Sequence, residues 1–298
     1  MGFTKRITVF TPTYNRAYII ENLYRSLQRQ AFTDFEWLVV DDGSVDNTKQ
    51  LFESWMQEEN PFPIRYYRQE NGGKCRAINR GLELAEGELF FNVDSDDYLT
   101  DDALEKVDRW EKALPRDQKF CAVSGNLGTS PDDTPNTAFA EPYLDGTAWD
   151  RYGKVDGERA MIFYTEIHRK YLYPVFDGET FLTEAIAWNR MAHDGYKIRF
   201  FNDIIWIYEY KEDGLTKAGE ALFYRNPMGY GLFLREKIQF LGCSFREKWD
   251  LWISYIINVG DMYPTKLVAE AIGLPIAVVA ALKAVRKVKR TITGKDRG

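Results

Sequence analysis

Only three cysteines and two histidines occur in the 298 residues. Cys75, Cys121 and Cys243 are odd in number and scattered, with neither a disulfide framework nor a CxxC spacing. That excludes a stapled extracellular miniprotein and makes a reducing cytosol the expected compartment. His168 and His193 are too few for a zinc site, and His168 is expected at the surface or packed rather than beside a metal. Positive charge is also short: 39 Lys and Arg against 45 Asp and Glu give a net charge of -6, so nucleic acid is not an expected partner. No apolar run reaches the roughly 20 residues of a spanning helix. The opening Met1 to Phe10 runs straight into strand-like sequence without the apolar core of a secretion signal, so export is not expected.

What is present is a globular composition, 45% apolar, 15% aromatic and 28% charged, sufficient for a substantial core in one large or two modest domains. Over the first 125 residues two periodicities alternate. Short apolar or β-branched runs at Ile7–Phe10, Trp37–Val40, Ile64–Tyr67, Leu89–Val93 and Ala122–Ser124 read as buried strands. Between them Ala17–Gln30, Thr48–Glu59, Lys74–Ala85 and Asp101–Ala113 have helical spacing. Strand alternating with helix predicts an α/β fold: a mainly parallel sheet flanked by helices, with ligands at the carboxyl ends of the strands. From Asn126 to about Gly157 the composition is loop-like, rich in Pro, Gly, Asp and Thr. A helix is expected at Phe181–Ala192, strands at Ile198–Phe201 and Ile204–Tyr210, and helices at Ala218–Phe240, Phe245–Asp261 and Lys266–Arg290. The spacing of Trp249, Trp252 and Tyr255 fits the core face of one of these helices.

Charge is unevenly spread at the end of the chain. From Lys283 to Gly298 there are seven basic residues and a single acid, Asp296, so the remainder is more acidic than the whole. Just before this tail, Ala271 to Leu282 is twelve residues without a charge, interrupted by Pro275. Two readings fit: a last helix packed on the core with a solvated tail, or peripheral contact of the basic tail with the inner face of the cell membrane.

The chemistry-bearing residues fall just after strands. Val93-Asp94-Ser95-Asp96-Asp97 places three carboxylates at a strand end, where like charges repel unless a cation neutralises them, and oxygen ligands suit Mg²⁺ or Mn²⁺. The bland alternative is helix capping ahead of Asp101. Asp41-Asp42-Gly43-Ser44-Val45-Asp46 is an acidic turn that Asx chemistry alone would explain. Thr11-Pro12-Thr13-Tyr14-Asn15-Arg16 and Asn71-Gly72-Gly73-Lys74-Cys75-Arg76 lie on the same sheet edge. Together they offer a heterocyclic base a carboxylate acceptor, a proline-bounded loop, a flat tyrosine ring and a glycine pair permitting close backbone approach.

TPTYNR at 11–16, VDDGSVD at 40–46, NGGKCRAINRG at 71–81 and DSDD at 94–97 stand in the order and approximate spacing of glycosyltransferase family 2, and the sequence resembles that family closely over about residues 5 to 110. The resemblance implies a GT-A fold, with residues 1–125 as the nucleotide-sugar-binding half, 126–217 as the acceptor-binding and catalytic half, and 218–298 as a helical extension. It implies a nucleoside-diphosphate-sugar donor, most simply a UDP-sugar, and a glycan or lipid-linked acceptor. Asp42 would meet the base, Thr11, Pro12 and Tyr14 would flank it, Lys74 would lie nearby, Asp94 would reach the ribose and Asp96 would hold the divalent metal.

In the second half, the stretch from Gly178 to Arg190 is similar to the family's acidic segment, where a carboxylate precedes a helix carrying Trp four and Arg six positions later. Counting back from Trp188 and Arg190 gives Glu184 as the implied base, with Glu179 the competing carboxylate. An inverting transfer needs one such base and no covalent intermediate. Tyr208 to Lys217 resembles the family's closing loop, from which Lys211 or Lys217 would touch the diphosphate. Spanning helices and the QxxRW motif of processive members are missing. The alternatives are a nucleotidyltransferase, whose glycine-rich basic loop after the first strand is missing, and an inactive sugar-nucleotide sensor or scaffold. A dehydrogenase is excluded because no GxGxxG follows that strand.

Overall fold

The computed structural model describes residues 2–209 and 219–293. Two compact units divide the chain: residues 1–173 with 187–211, and residues 174–186 with 212–298.

The first unit opens with β1 (Lys5–Thr13), α1 (Glu21–Gln28), β2 (Phe35–Asp41), α2 (Thr48–Trp55), β3 (Ile64–Arg68), α3 (Lys74–Leu84) and β4 (Gly87–Asn92). The four strands are parallel, in the order β3-β2-β1-β4. Every residue of β2 is buried, which is why it reads as an unbroken apolar run: a parallel strand is covered on both faces. Its one internal charge, Glu36, is compensated by Thr8 Oγ1 at 2.6 Å, the Glu86 amide at 2.7 Å and Arg65 Nη1 at 2.7 Å. α1 and α2 bury Tyr24, Phe52 and Trp55 around Trp37. A Cβ on Gly87 would lie 2.2 Å from the Thr8 amide nitrogen, so glycine lets β4 begin this close to β1.

Beyond β4 come β5 (Tyr98–Leu99), α4 (Ala103–Lys112), β6 (Phe120–Gly128), β7 (Tyr143–Gly146), β8 (Arg159–Tyr164), α5 (Thr165–His168), α6 (Ala185–His193) and β9 (Lys197–Ile207). The sheet continues β4-β8-β6-β9-β5, with β7 on β9. Here pairing is mixed, because β8 runs antiparallel to both β4 and β6 while β6 and β9 are parallel. No element was expected between residues 158 and 180, yet β8 lies in the middle of the sheet. The two strands expected at 198–201 and 204–210 are one strand, with its register against β6 shifting between Ser124 and Asn126. α6 starts four residues later than its apolar spacing predicts.

The second unit contains α7 (Glu220–Arg225), α8 (Pro227–Phe240), α9 (Phe245–Val259), α10 (Thr265–Ile272) and α11 (Ile276–Thr293). The helix expected over 218–240 breaks at Asn226, since Pro227 donates no amide and disfavours helical dihedrals at the residue before it. The helix expected over 266–290 breaks at Gly273, whose φ of +69° closes α10 in the left-handed conformation two residues before Pro275. Leu234, Tyr255, Ile256, Val259, Val268, Ile272 and Val279 form this unit's core. Tyr255 is thus core as expected, Trp252 packs against it half-buried, and Trp249 is exposed. No single helix among the described residues is long and apolar enough to cross a membrane.

Candidate functional site

The four loops at the carboxyl ends of β1 to β4 are tied to one another by specific bonds. The loop after β1 turns on Asn15, whose φ of 55° makes it the one non-glycine residue in the left-handed region among the described residues. Asn15 donates its amide to Ser44 Oγ at 2.8 Å and accepts from the Val45 amide at 2.8 Å, which joins the first loop to the second. Ala17 N donates to Asp46 Oδ2 at 3.0 Å beside it.

Asp42 joins the second loop to the third. Its buried carboxylate accepts from the Gly72 amide at 3.0 Å, the Gly73 amide at 2.7 Å and Gln69 Nε2 at 2.7 Å. Gly73, at φ +91°, presents its amide to Asp42 while starting α3. Asp41 faces the other way, accepting from the Ser44 amide at 2.7 Å and from the Tyr66 hydroxyl, so it shapes the turn. Beside them opens a shallow groove of about 470 Å³ lined by Gly43, Arg68, Gln69, Glu70 and Asn71.

Lys74, first residue of α3, joins the third loop to the fourth: Nζ lies 2.7 Å from Asp94 Oδ1 and 3.0 Å from Oδ2. Arg16 closes the ring, its Nη2 being 3.8 Å from Asp96 Oδ2. Asp97, third of the acids, turns inward and accepts from Trp206 Nε1 at 2.8 Å. Burial and then the charge of Asp94 push the Asp97 carboxyl up to about 8. The same two causes, in the same order, raise Asp96, with Arg16 and Lys74 opposing. Of the three strand-end carboxylates, Asp94 and Asp96 thus bear the ion pairs with Lys74 and Arg16, while Asp97 turns away.

This pair fits a divalent cation. Burial and then the charge of Asp94 disfavour the ionised Asp96 carboxylate, and a positive charge beside these hard oxygen donors would relieve both; Lys74 and Arg16 supply it in part. Among the described residues no group of three or more His, Cys, Asp or Glu side chains is arranged to hold a metal. Any cation here would therefore take few ligands from the protein.

Of the other residues in the first motif, Thr11 and Pro12 are interior, lying within β1, and Tyr14 is not. Thr11 is fully buried, its Oγ1 accepting from Trp37 Nε1 at 3.0 Å, and Pro12 is buried opposite Val40. Tyr14 is 48% exposed. His168 is packed against Phe90, Phe163 and Tyr173, and burial lowers its pKa to about 3, so it stays neutral. Asn15, Arg16, Gln69 and Trp206 are site residues that the sequence alone assigns no role. The first two stood inside a quoted motif, Asn being the residue most tolerant of a left-handed turn; Gln69 and Trp206 carried no signal.

The two candidate bases lie in the second unit and differ sharply. Glu179 accepts from the amides of Met228 at 2.6 Å and Gly229 at 2.9 Å, capping the first turn of α8 from outside. Asn226 returns the contact by accepting from the Thr180 and Phe181 amides at 2.9 and 3.1 Å. Residues 179–181 are held extended by these bonds, which is why α6 starts late. Glu184, half-buried, immediately precedes α6, whose first amide, that of Ala185, donates to Thr183 Oγ1 at 3.4 Å. Lys211 and Lys217, and residues 210–217 of the expected closing loop, lie outside the described residues.

An α/β unit whose parallel strands deliver four interlocked motif loops to a carboxylate pair defines a glycosyltransferase of the GT-A type. The sequence profile of glycosyl transferase family 2 matches residues 8–178, and the chain belongs to that family. Over 233 residues it is 26% identical to the GalNAc(5)-diNAcBac-PP-undecaprenol beta-1,3-glucosyltransferase of Campylobacter jejuni, covering 76% of this chain and 72% of that protein. The match to the poly(ribitol-phosphate) beta-N-acetylglucosaminyltransferase TarS of Staphylococcus aureus is 39% over 101 residues, but spans 33% of this chain and 18% of TarS. The crystal structure of TarS 1-349 with UDP-GlcNAc superposes with a TM-score of 0.58 at 20% identity, covering 93% of this chain and 88% of that one. The mannosyltransferase PcManGT of Pyrobaculum calidifontis, in complex with GDP-Man and Mn2+, gives 0.56 at 20% identity over 98% and 82%. At such identities these two likenesses show the fold.

Proposed function

We propose that the chain is an inverting glycosyltransferase that moves a sugar from a nucleoside diphosphate, UDP by preference, to a hydroxyl of a glycan or lipid-linked acceptor. The observation that carries this reading is the closed ring of bonds Asn15–Ser44, Asp42–Gly73, Lys74–Asp94 and Arg16–Asp96, which holds the four motif loops together. The glucosyltransferase and TarS relatives, named for transfer to an undecaprenol-linked and a poly(ribitol-phosphate) acceptor, support the acceptor class.

In this reading the base lies by Asp42 and the groove at Arg68 to Asn71, with Tyr14 against its face. Asp94, positioned by Lys74, takes the ribose hydroxyls. Asp96 holds the divalent cation, Mn²⁺ or Mg²⁺, which when bound supplies positive charge next to the diphosphate. Lys74 and Arg16 add fixed cationic charge there, stabilising what develops as the nucleotide departs. Glu184 removes the proton from the acceptor hydroxyl as that oxygen attacks the anomeric carbon in line. Glu184 rather than Glu179 is the base because the Glu179 carboxylate is committed to the start of α8.

Release of UDP from UDP-sugars on addition of acceptor tests the activity. A chain that bound such donors but released nothing with any acceptor would be a sensor. Glu179→Gln separates the two acids. It removes one charged acceptor from the α8 amides and is expected to lower stability by about 1–2 kcal/mol, read in thermal unfolding, with kcat within about threefold of wild type.

A further inference from the structure

The last helix, α11, shows two unlike faces. One packs into the second unit: Val279 is fully buried, Lys283 Nζ donates to Tyr263 O at 3.2 Å and Thr265 Oγ1 at 3.3 Å, and Arg286 Nη1 donates to Ile256 O at 3.0 Å and pairs with Asp261 at 3.3 Å. These contacts fix which side is inward. The opposite side carries no charge from Ala277 to Val285, and it is open: Val285 is 66% exposed, with Val278, Ala281 and Ala284 exposed before it.

The sequence continues that side with the same period. In the sequence, apolar residues stand at 278, 281, 285, 288 and 292, spaced by three and four. An exposed apolar face from Val278 to Val285, in a helix whose sequence after Arg286 adds five basic residues and one acid, is the composition of a helix lying in a membrane interface.

The geometry points to an anionic lipid surface as the partner of this face, with the apolar row inserted among the acyl chains and the basic residues at the headgroups. A second copy of the chain is a poorer occupant, because pairing two rows would bring two basic tails together. A spanning segment is excluded by packing. α10 and α11 are bent by 116° at the break, and α10 buries Val268, Ala271 and Ile272 within the unit. The inference does not depend on which sugar or acceptor the enzyme uses.

Co-sedimentation of the full chain with vesicles tests it, using phosphatidylcholine alone and an equal mixture of phosphatidylcholine and phosphatidylglycerol. The chain is expected to bind the anionic vesicles, and to bind neutral ones, or anionic ones at high salt, at least about tenfold more weakly. Val278→Asp with Val285→Asp, at two exposed positions, should abolish binding and leave the melting temperature unchanged. Lys287→Glu with Lys289→Glu changes charge alone and should weaken binding by about tenfold or more, which keeps the test open if the aspartates perturb folding. Equal binding to both vesicle types, or wild-type binding by the double aspartate variant, overturns the proposal. So does a dimer in solution that the double aspartate variant dissociates.

Discussion

Glu184→Gln is expected to lower kcat by about 10²- to 10⁴-fold, the usual range for removal of a general base, while the dissociation constant for the donor changes by less than about threefold. The amide keeps the shape of the side chain at the start of α6 but cannot accept a proton. The loss therefore falls on the step in which the acceptor hydroxyl attacks, and donor binding, which the proposal assigns to the loops after β1 to β4, is expected to be spared. Stability should hold as well, because the charged cap in this region belongs to Glu179, which serves α8. Single-turnover kinetics and donor titration on the same variant separate these quantities. A Glu184→Gln enzyme within about tenfold of wild-type kcat would show that another group takes the proton.

The second large effect is expected at Asp42. Its carboxylate gathers the Gly72 and Gly73 amides and the Gln69 amide group, all at the root of α3. Asp42→Ala leaves two amide donors without their anionic partner, each such bond being worth about 1.5–3 kcal/mol, so destabilisation of about 3 kcal/mol is expected. The damage should not stay local. Gly73 starts the helix whose first residue, Lys74, holds Asp94, so slackening the 71–74 loop withdraws the lysine from the Asp94 carboxylate, the proposed ribose acceptor. Donor affinity is accordingly expected to fall by at least about tenfold even in protein that remains folded, and Asp42→Asn, which retains one acceptor oxygen, should be intermediate on both scales. Thermal unfolding and UDP titration of the two variants measure this; full stability in Asp42→Ala would contradict the interlocked-loop description.

How far these features are legible in the sequence follows from what each depends on. The parallel strands β1, β2 and β4 read clearly because they are largely covered on both faces, whereas the edge strand β3 is only half-buried and reads through its isoleucine and tyrosines; the motifs after all four carry residue types that chemistry demands. β8 is hard to read from sequence because Arg-Ala-Met-Ile-Phe-Tyr follows a loop-like stretch and is succeeded only by the four-residue α5. The breaks at Pro227 and Gly273 were signalled locally by Asn-Pro and Gly-Leu-Pro, but the apolar period on either side outweighed them. In the site, the acidic loop was evident, whereas the inward turn of Asp97 onto Trp206 was not, since that partner lies 109 residues away. Glu179 shows the same limit: its tie to Met228 and Gly229 is long-range, so the two acids could be told apart only in three dimensions.

The central claim is that Asp96, at the meeting point of the four loops, grips a divalent cation that lies on the donor's diphosphate. Calorimetric titration of UDP into the wild-type chain and into Asp96→Ala, each with Mn²⁺ and with chelator, addresses it directly. The account predicts that Mn²⁺ tightens UDP binding to the wild type by at least about tenfold, and that Asp96→Ala binds weakly whether or not the metal is present. UDP affinity that is the same with Mn²⁺, with chelator and after the substitution would contradict it.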